Sequence, residues 1–228
     1  MLESLTSANL QTVLVAGASR GVGREIARLL QPNFTVTALL RSTAAVTELE
    51  ALGVQTVMGD AMIPEQLETA FANRPIDAVI STIGGLPAEG NRADFEGNRN
   101  LIDTAVKASV KKFVLVTSIG SGESVVSLPP RALEALGAVL KEKEKAEQHL
   151  IQSGLAYTIV RPGGLKSEPP TGTGILTEDP KISGSIHRAD VAALVCRCLI
   201  SDRANQKILS ALDRNQLFTP TEIAEFTP

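Results

Sequence analysis

The chain contains no tryptophan, a single tyrosine and only 3% aromatic residues across 228 positions, so it lacks the stacking platforms that single-stranded nucleic acid requires. An excess of one charge is missing too. With 22 basic and 25 acidic residues the formal net charge is -3, which removes the broad electrostatic reason to expect nucleic acid or an anionic membrane as partner. No apolar run approaches the length of a membrane span, and residues 1–9 show no basic stretch followed by an apolar core, so they do not read as a secretory signal. The only cysteines, Cys196 and Cys198, lie two apart in a segment that reads as helix, where their side chains point to different faces. They read as buried free thiols rather than as a metal or redox pair. Together these absences point to a reducing compartment, cytosol or a stroma-like space.

What the chain has is alternation. Short runs rich in Val, Ile and Thr recur at 12–16, 34–40, 54–58, 78–81, 113–117, 157–160 and 207–211. Segments with helical spacing lie between them, at 23–30, 64–71, 99–108 and 133–151, the last stopped by Gly154. This pattern predicts an α/β fold: a single Rossmann-like, doubly wound parallel sheet with helices on both faces, one domain over 1–228. The tract at about 162–186 is rich in Gly and Pro and reads as one long irregular substrate loop; a shorter loop runs from 84 to 91. In an open parallel sheet both belong at the carboxyl ends of the strands, where ligands bind.

The stretch TVLVAGASRGVGREIA, residues 12–27, organises the rest. A strand runs into a turn with Gly17, Gly21 and Gly23 and then straight into a helix, bringing backbone N–H groups and the positive helix end to face an anion. Gly17, Ser19, Arg20, Gly21, Val22 and Gly23 are thus expected to hold the diphosphate of a dinucleotide. The second strand ends in Leu40-Arg41 where a site for unphosphorylated ribose carries a carboxylate. Arg41 and Arg20 either pair with a 2′-phosphate, which favours NADP(H), or are solvated surface residues. Asp60, with Ala61, ends the third strand and either reads an adenine amino group or forms a turn. Small residues after the fourth strand, Thr82, Ile83 and Gly84, let backbone approach the cofactor.

GASRGVG, LLRS, EGNRNLIDTAVKASVKKFVLVTS, KEKEKAEQHL, SGLAYTIVRPGG and IHRADVAALV together resemble the short-chain dehydrogenases/reductases. More narrowly, the chain is similar to the atypical, NmrA-like NAD(P)-binding group, with relatives among flavin/biliverdin-IXβ reductases and a chloroplast import-translocon subunit. The resemblance implies cofactor contacts from Thr117, Lys143, Pro162, Gly163 and Gly164, with Ser118 and Lys143 as catalytic candidates. Two departures stand out. Arg20 occupies the middle glycine position of the atypical turn, which leaves the cofactor class intact. Alignment of the lysine on Lys143, with Lys141 and Lys145 as competitors in the same charged run, puts Val139 where the family's catalytic tyrosine belongs.

The single tyrosine, Tyr157, lies on a strand, four residues from Arg161; that spacing covers roughly 13 Å on a strand, so it does not imitate the helical pair and reads as packing. His187 and His149, the only histidines, have no visible catalytic partner. Without the acid, reduction of a simple ketone loses its proton donor, whereas a flat, conjugated acceptor such as a flavin, linear tetrapyrrole or quinone takes its proton from solvent. Hydride transfer from NADPH to such an acceptor is therefore the expected activity. The alternative is a non-catalytic NADP(H)-binding protein that senses redox state or docks a protein partner; a sugar-nucleotide epimerase fits less well, because it too needs the tyrosine. No metal is expected.

Overall fold

A computed structural model describes residues 10–72, 74–85, 92–219 and 221–228; the expectations for residues 1–9 and for most of the 84–91 loop lie outside these. In chain order the first half holds β1 (Thr12–Ala16), α1 (Gly21–Leu30), β2 (Thr35–Leu40), α2 (Val46–Ala51), β3 (Gln55–Met58), α3 (Pro64–Ala72), β4 (Ala78–Ser81) and α4 (Glu96–Lys107). The second half holds β5 (Lys112–Val116), α5 (Pro130–Gln152), β6 (Ala156–Pro162), β7 (Gly164–Lys166), β8 (Gly174–Thr177), β9 (Ser185–His187), α6 (Arg188–Ile200) and β10 (Lys207–Asp213).

Eight strands form one sheet in the order β3-β2-β1-β4-β5-β6-β10-β8, parallel throughout except for β8, which runs antiparallel to β10 at the edge. This is a Rossmann-like α/β fold, as the alternation predicts. The chain reverses direction of winding between β1 and β4, so the β1–α1 turn opens at the switch point where such sheets bind ligands.

Strand residues alternate between two cores. Val13, Val15, Ile80 and Val114 pack with Ile26 of α1 and Val191 and Val195 of α6. Leu14, Ala16, Val79, Phe113 and Leu115 pack on the other face with Leu67 of α3, Leu101 and Ile102 of α4 and Leu150 of α5. Because both faces are covered, the strands read as near-continuous apolar runs instead of alternating with polar residues. Tyr157 belongs to the second core, as a packing residue. At the amino end of the sheet Asp77 ties β1 to β4 through the Gln11 and Thr12 N–H groups. Burial pushes its carboxyl up, but the bonds from Lys111, Gln11 and Thr12 outweigh this and hold it well below the usual carboxylate range.

The end of α6 is tied to the sheet by Lys112, whose buried ammonium donates to the Cys198 and Ser201 carbonyl oxygens at 2.7 Å each. Burial lowers its pKa to about 8. On the same helix burial pushes the Cys196 and Cys198 thiols up to about 12, so neither is a thiolate near neutral pH.

The 162–186 tract departs from the expected irregular loop, because β7, β8 and β9 fall within it and β7 pairs with β9. Its middle turn is stitched down. The Thr171 and Gly172 N–H groups donate to the Asp190 carboxylate, and the Thr171 and Thr173 hydroxyls donate to Asp213. Sequence periodicity misses strands this short, and the two carboxylates that fix the turn lie roughly twenty and forty residues downstream.

Candidate functional site

A cavity of about 1260 Å³ opens at the carboxyl ends of β1, β2, β4, β5 and β6. Its wall brings together residues expected from the sequence: Gly17, Ser19, Arg20, Gly21, Val22 and Gly23 of the turn, then Arg41 after β2 and Asp60 with Ala61 after β3. Thr82, Ile83 and Gly84 after β4, Thr117 after β5, Lys143 of α5 and Pro162 ending β6 complete that set.

Three expected residues are not on this wall. Gly163 and Gly164 turn against Gly184: a Cβ on Gly163 would lie 2.4 Å from the Gly184 carbonyl oxygen, and the Gly164 N–H donates to that oxygen at 2.9 Å. The small size of Gly163 lets two backbones cross there, whereas a Cβ on Gly164 would make only ordinary contacts. Ser118 donates its hydroxyl to the Ile119 carbonyl oxygen at 3.0 Å and stands off the cavity, as does Val139.

The turn fits a dinucleotide diphosphate by its backbone. Gly17 holds φ of +88°, in the region that favours glycine, and a Cβ on Gly23 would lie 2.3 Å from the Gly17 carbonyl oxygen. The first turn of α1 contains no acidic residue and Arg20, at its N-cap, makes no side-chain capping bond, so the positive helix end faces the cavity uncapped. Arg20 and Arg41 are exposed and have no carboxylate partner among the described residues. By contrast Arg24 pairs with Glu48, and Arg28 with Glu25. Asp60 accepts from the Met62 N–H at 2.9 Å, so it shapes its own turn while lining the cavity.

The opposite end is organised by α5. Four-residue spacing places Val139, Lys143 and Glu147 along one side of that helix. Geometry separates Lys143 from its neighbours in the charged run: its ammonium lies 3.1 Å from Asp94, whose side chain is 1% exposed, whereas Lys145 pairs with Glu142 at the surface. Asp94 also accepts from Arg92 and from the Gly85 N–H, both at 3.0 Å, so the lysine is anchored to the loop after β4.

One turn further along, Glu147 is fully buried. It receives two bonds from Arg161, at 3.0 and 2.6 Å, and one from the Thr117 hydroxyl at 2.6 Å, joining α5 to the ends of β5 and β6 under the cavity floor. His187 is buried with its Nδ1 at 2.6 Å from the Pro169 carbonyl oxygen, which requires Nδ1–H as donor, while Gln216 donates to Nε2 at 3.2 Å. That arrangement describes a structural histidine, held by its contacts to the Pro169 carbonyl and Gln216. His149 pairs with Asp103 at 2.6 Å on the outer side of α5.

Sequence reasoning missed Asp94, Glu147, Arg188 and the wall segment Ser167, Glu168, Pro169 and Pro170. A carboxylate at four-residue spacing from Lys143 is the available signal for Glu147. For the others the local pattern carries no signal. Among the described residues no group of three or more His, Cys, Asp or Glu is placed to hold a metal, and no helix is long and apolar enough to cross a membrane.

The fold and this cavity define an NAD(P)H-binding, Rossmann-type protein. A family described as NAD(P)H-binding matches residues 17–202, and the chain belongs to that family. It is similar to the structure of ChuY, an anaerobillin reductase from Escherichia coli O157:H7, with 34% identity and a TM-score of 0.82 over 92% of this chain and 100% of that one. It is 33% identical to an uncharacterised chloroplastic protein of Arabidopsis thaliana over 225 residues, covering 93% of this chain and 80% of that protein. It is 30% identical to sanguinarine reductase of Eschscholzia californica, covering 86% of each. Membership is consistent with the atypical, NmrA-like reductase group that the sequence resembles.

Proposed function

We propose that the chain is an NADPH-dependent reductase, one nucleotide-binding domain that passes hydride to a flat conjugated acceptor such as a flavin, a linear tetrapyrrole or a quinone. The observation that carries the reading is the asymmetry of the cavity: Arg20 and Arg41, with no carboxylate partner among the described residues, at one end, and at the other Lys143 and Thr117 with no tyrosine, since Tyr157 is buried in the core. Relatives named as reductases of anaerobillin and of sanguinarine support it.

In this reading the backbone of Gly17 to Gly23 binds the diphosphate, while Arg41 and Arg20 bind the 2′-phosphate. Asp60 and Ala61 flank the adenine. Thr82, Ile83, Gly84 and Pro162 shape the ribose and nicotinamide wall, and Lys143, steadied by Asp94, hydrogen-bonds the nicotinamide ribose. NADPH supplies the hydride; the protein supplies orientation and a walled approach, and the acceptor takes its proton from water. Unreactive, unpaired thiols are in keeping with a reducing compartment, cytosol or stroma.

The test is NADPH oxidation by purified protein with FMN, biliverdin and a benzoquinone as acceptors. Turnover well above the protein-free rate with at least one is expected. Tight NADPH binding with no turnover across the panel overturns the enzyme and leaves a nucleotide-binding redox sensor or docking protein.

A further inference from the structure

We propose that Arg188 is a ligand of the cofactor diphosphate and that, through Ser167, it couples the occupied diphosphate site to the 167–170 wall of the acceptor side. The proposal rests on the dinucleotide reading above and adds a residue and a linkage to it.

Arg188 is the first residue of α6, which packs along α1. Its side chain crosses the start of α1: the position a Cβ would take on Gly21 lies 3.7 Å from both Cδ and Nε of Arg188. Both residues line the same cavity. The guanidinium therefore stands beside the uncapped N–H groups of α1 and on the same wall as Arg20.

That concentration of positive charge forms no ion pair with Glu25 or Glu168, the carboxylates among the described residues of this wall near it. The first turn of α1 holds no acid, Glu25 is engaged by Arg28 at 2.9 and 3.0 Å, and Arg188 has no carboxylate partner among the described residues. Two guanidiniums and a helix amino end repel one another unless an anion sits between them. A diphosphate supplies two adjacent negative groups at that place, and the planar fork of an arginine suits phosphate oxygens. Within the described residues the fork makes one hydrogen bond, from Nη1 to the Ser167 hydroxyl at 2.6 Å, which leaves Nε and Nη2 to donate.

The linkage follows from what flanks Arg188. His187, the preceding residue, binds the Pro169 carbonyl oxygen, and Asp190, two residues on, binds the Thr171 and Gly172 N–H groups. Ser167, Pro169 and Thr171 are thus fastened in succession to the start of α6 that carries the arginine. Whatever fixes Arg188 on its cavity side also fixes this wall.

Calorimetric titration of Arg188→Ala with NADP⁺, NAD⁺, ADP-ribose and 2′-AMP tests the assignment. The diphosphate-bearing ligands are expected to weaken alike, by about 10- to 100-fold, the range for loss of hydrogen bonds to a charged group. 2′-AMP has the 2′-phosphate but no diphosphate, and its affinity is expected to change by less than about twofold. Should the alanine variant fold poorly, Arg188→Lys keeps the charge without the fork and is expected to give a smaller loss with the same ligand ranking. Unchanged NADP⁺ affinity overturns the proposal, and so does an equal loss for 2′-AMP, which marks a general structural effect. Wild-type protein that binds no dinucleotide overturns the cofactor reading itself, whereas wild-type binding that Arg188→Ala fully retains overturns only the role of Arg188.

Discussion

At the β1–α1 end the cavity wall is backbone, with Gly17 and Gly23 set where any Cβ would collide; at the β5–α5 end it is supported by buried side chains, with Glu147 enclosed between Arg161 and Thr117. The first end is made by residues within one short stretch of chain. The second draws on residues 94, 117, 143, 147 and 161, which meet only after three strands and two helices have packed. On the proposed reading, a backbone cradle serves an invariant chemical group, a diphosphate, whereas a side-chain network can be retuned without touching the cradle. The two reductases to which the chain is similar are named for different substrates, anaerobillin and sanguinarine.

Three substitutions probe that division. The largest effect is expected from Glu147→Ala, which strands the 7%-exposed Arg161 side chain without its carboxylate. Loss of one partner of a buried pair costs about 3–5 kcal/mol, and urea unfolding should show it, together with a weaker acceptor KM from displacement of Thr117. If stability is unchanged, the network under the β5–α5 end is not what holds it. Next is Gly23→Ala, whose added methyl meets the Gly17 carbonyl and the Thr82 hydroxyl at 2.3 and 2.6 Å. Overpacking there is expected to cost about 1–3 kcal/mol of stability and to abolish NADPH binding in a fluorescence titration. Retention of wild-type affinity would mean that the cradle tolerates side chains and that the two ends do not differ in kind.

The smallest is Arg41→Ala, at an exposed site. NADPH should weaken by about 1–3 kcal/mol while NADH is unaffected, because only the former carries the 2′-phosphate. Equal weakening of both cofactors would refute that role.

Legibility in the sequence follows the same division. The core strands, the helices α1, α3, α4 and α5 and the glycine turn were readable because each depends on periodicity or spacing within a few residues. Arg41 was placed on the cavity by its position after β2 alone. The sequence names Lys143 only by resemblance, against two neighbouring lysines, and the deciding fact is its ion pair with Asp94, forty-nine residues earlier. Gly163 shows the opposite case. A glycine at the end of a strand looks like room for a ligand, and at this position the space beside it is taken by the Gly184 backbone.

The sequence by itself determined the α/β alternation, the dinucleotide turn and the absence of a tyrosine acid, because these are matters of local conformation and of which side chains exist at all. Tertiary structure alone decided which charges are answered. Asp94 answers Lys143, Glu147 answers Arg161, and Arg20, Arg41 and Arg188 find no carboxylate among the described residues. Coulombic partnership falls off with distance in space, and distance in space between residues far apart in the chain exists only once the sheet has brought its carboxyl ends together.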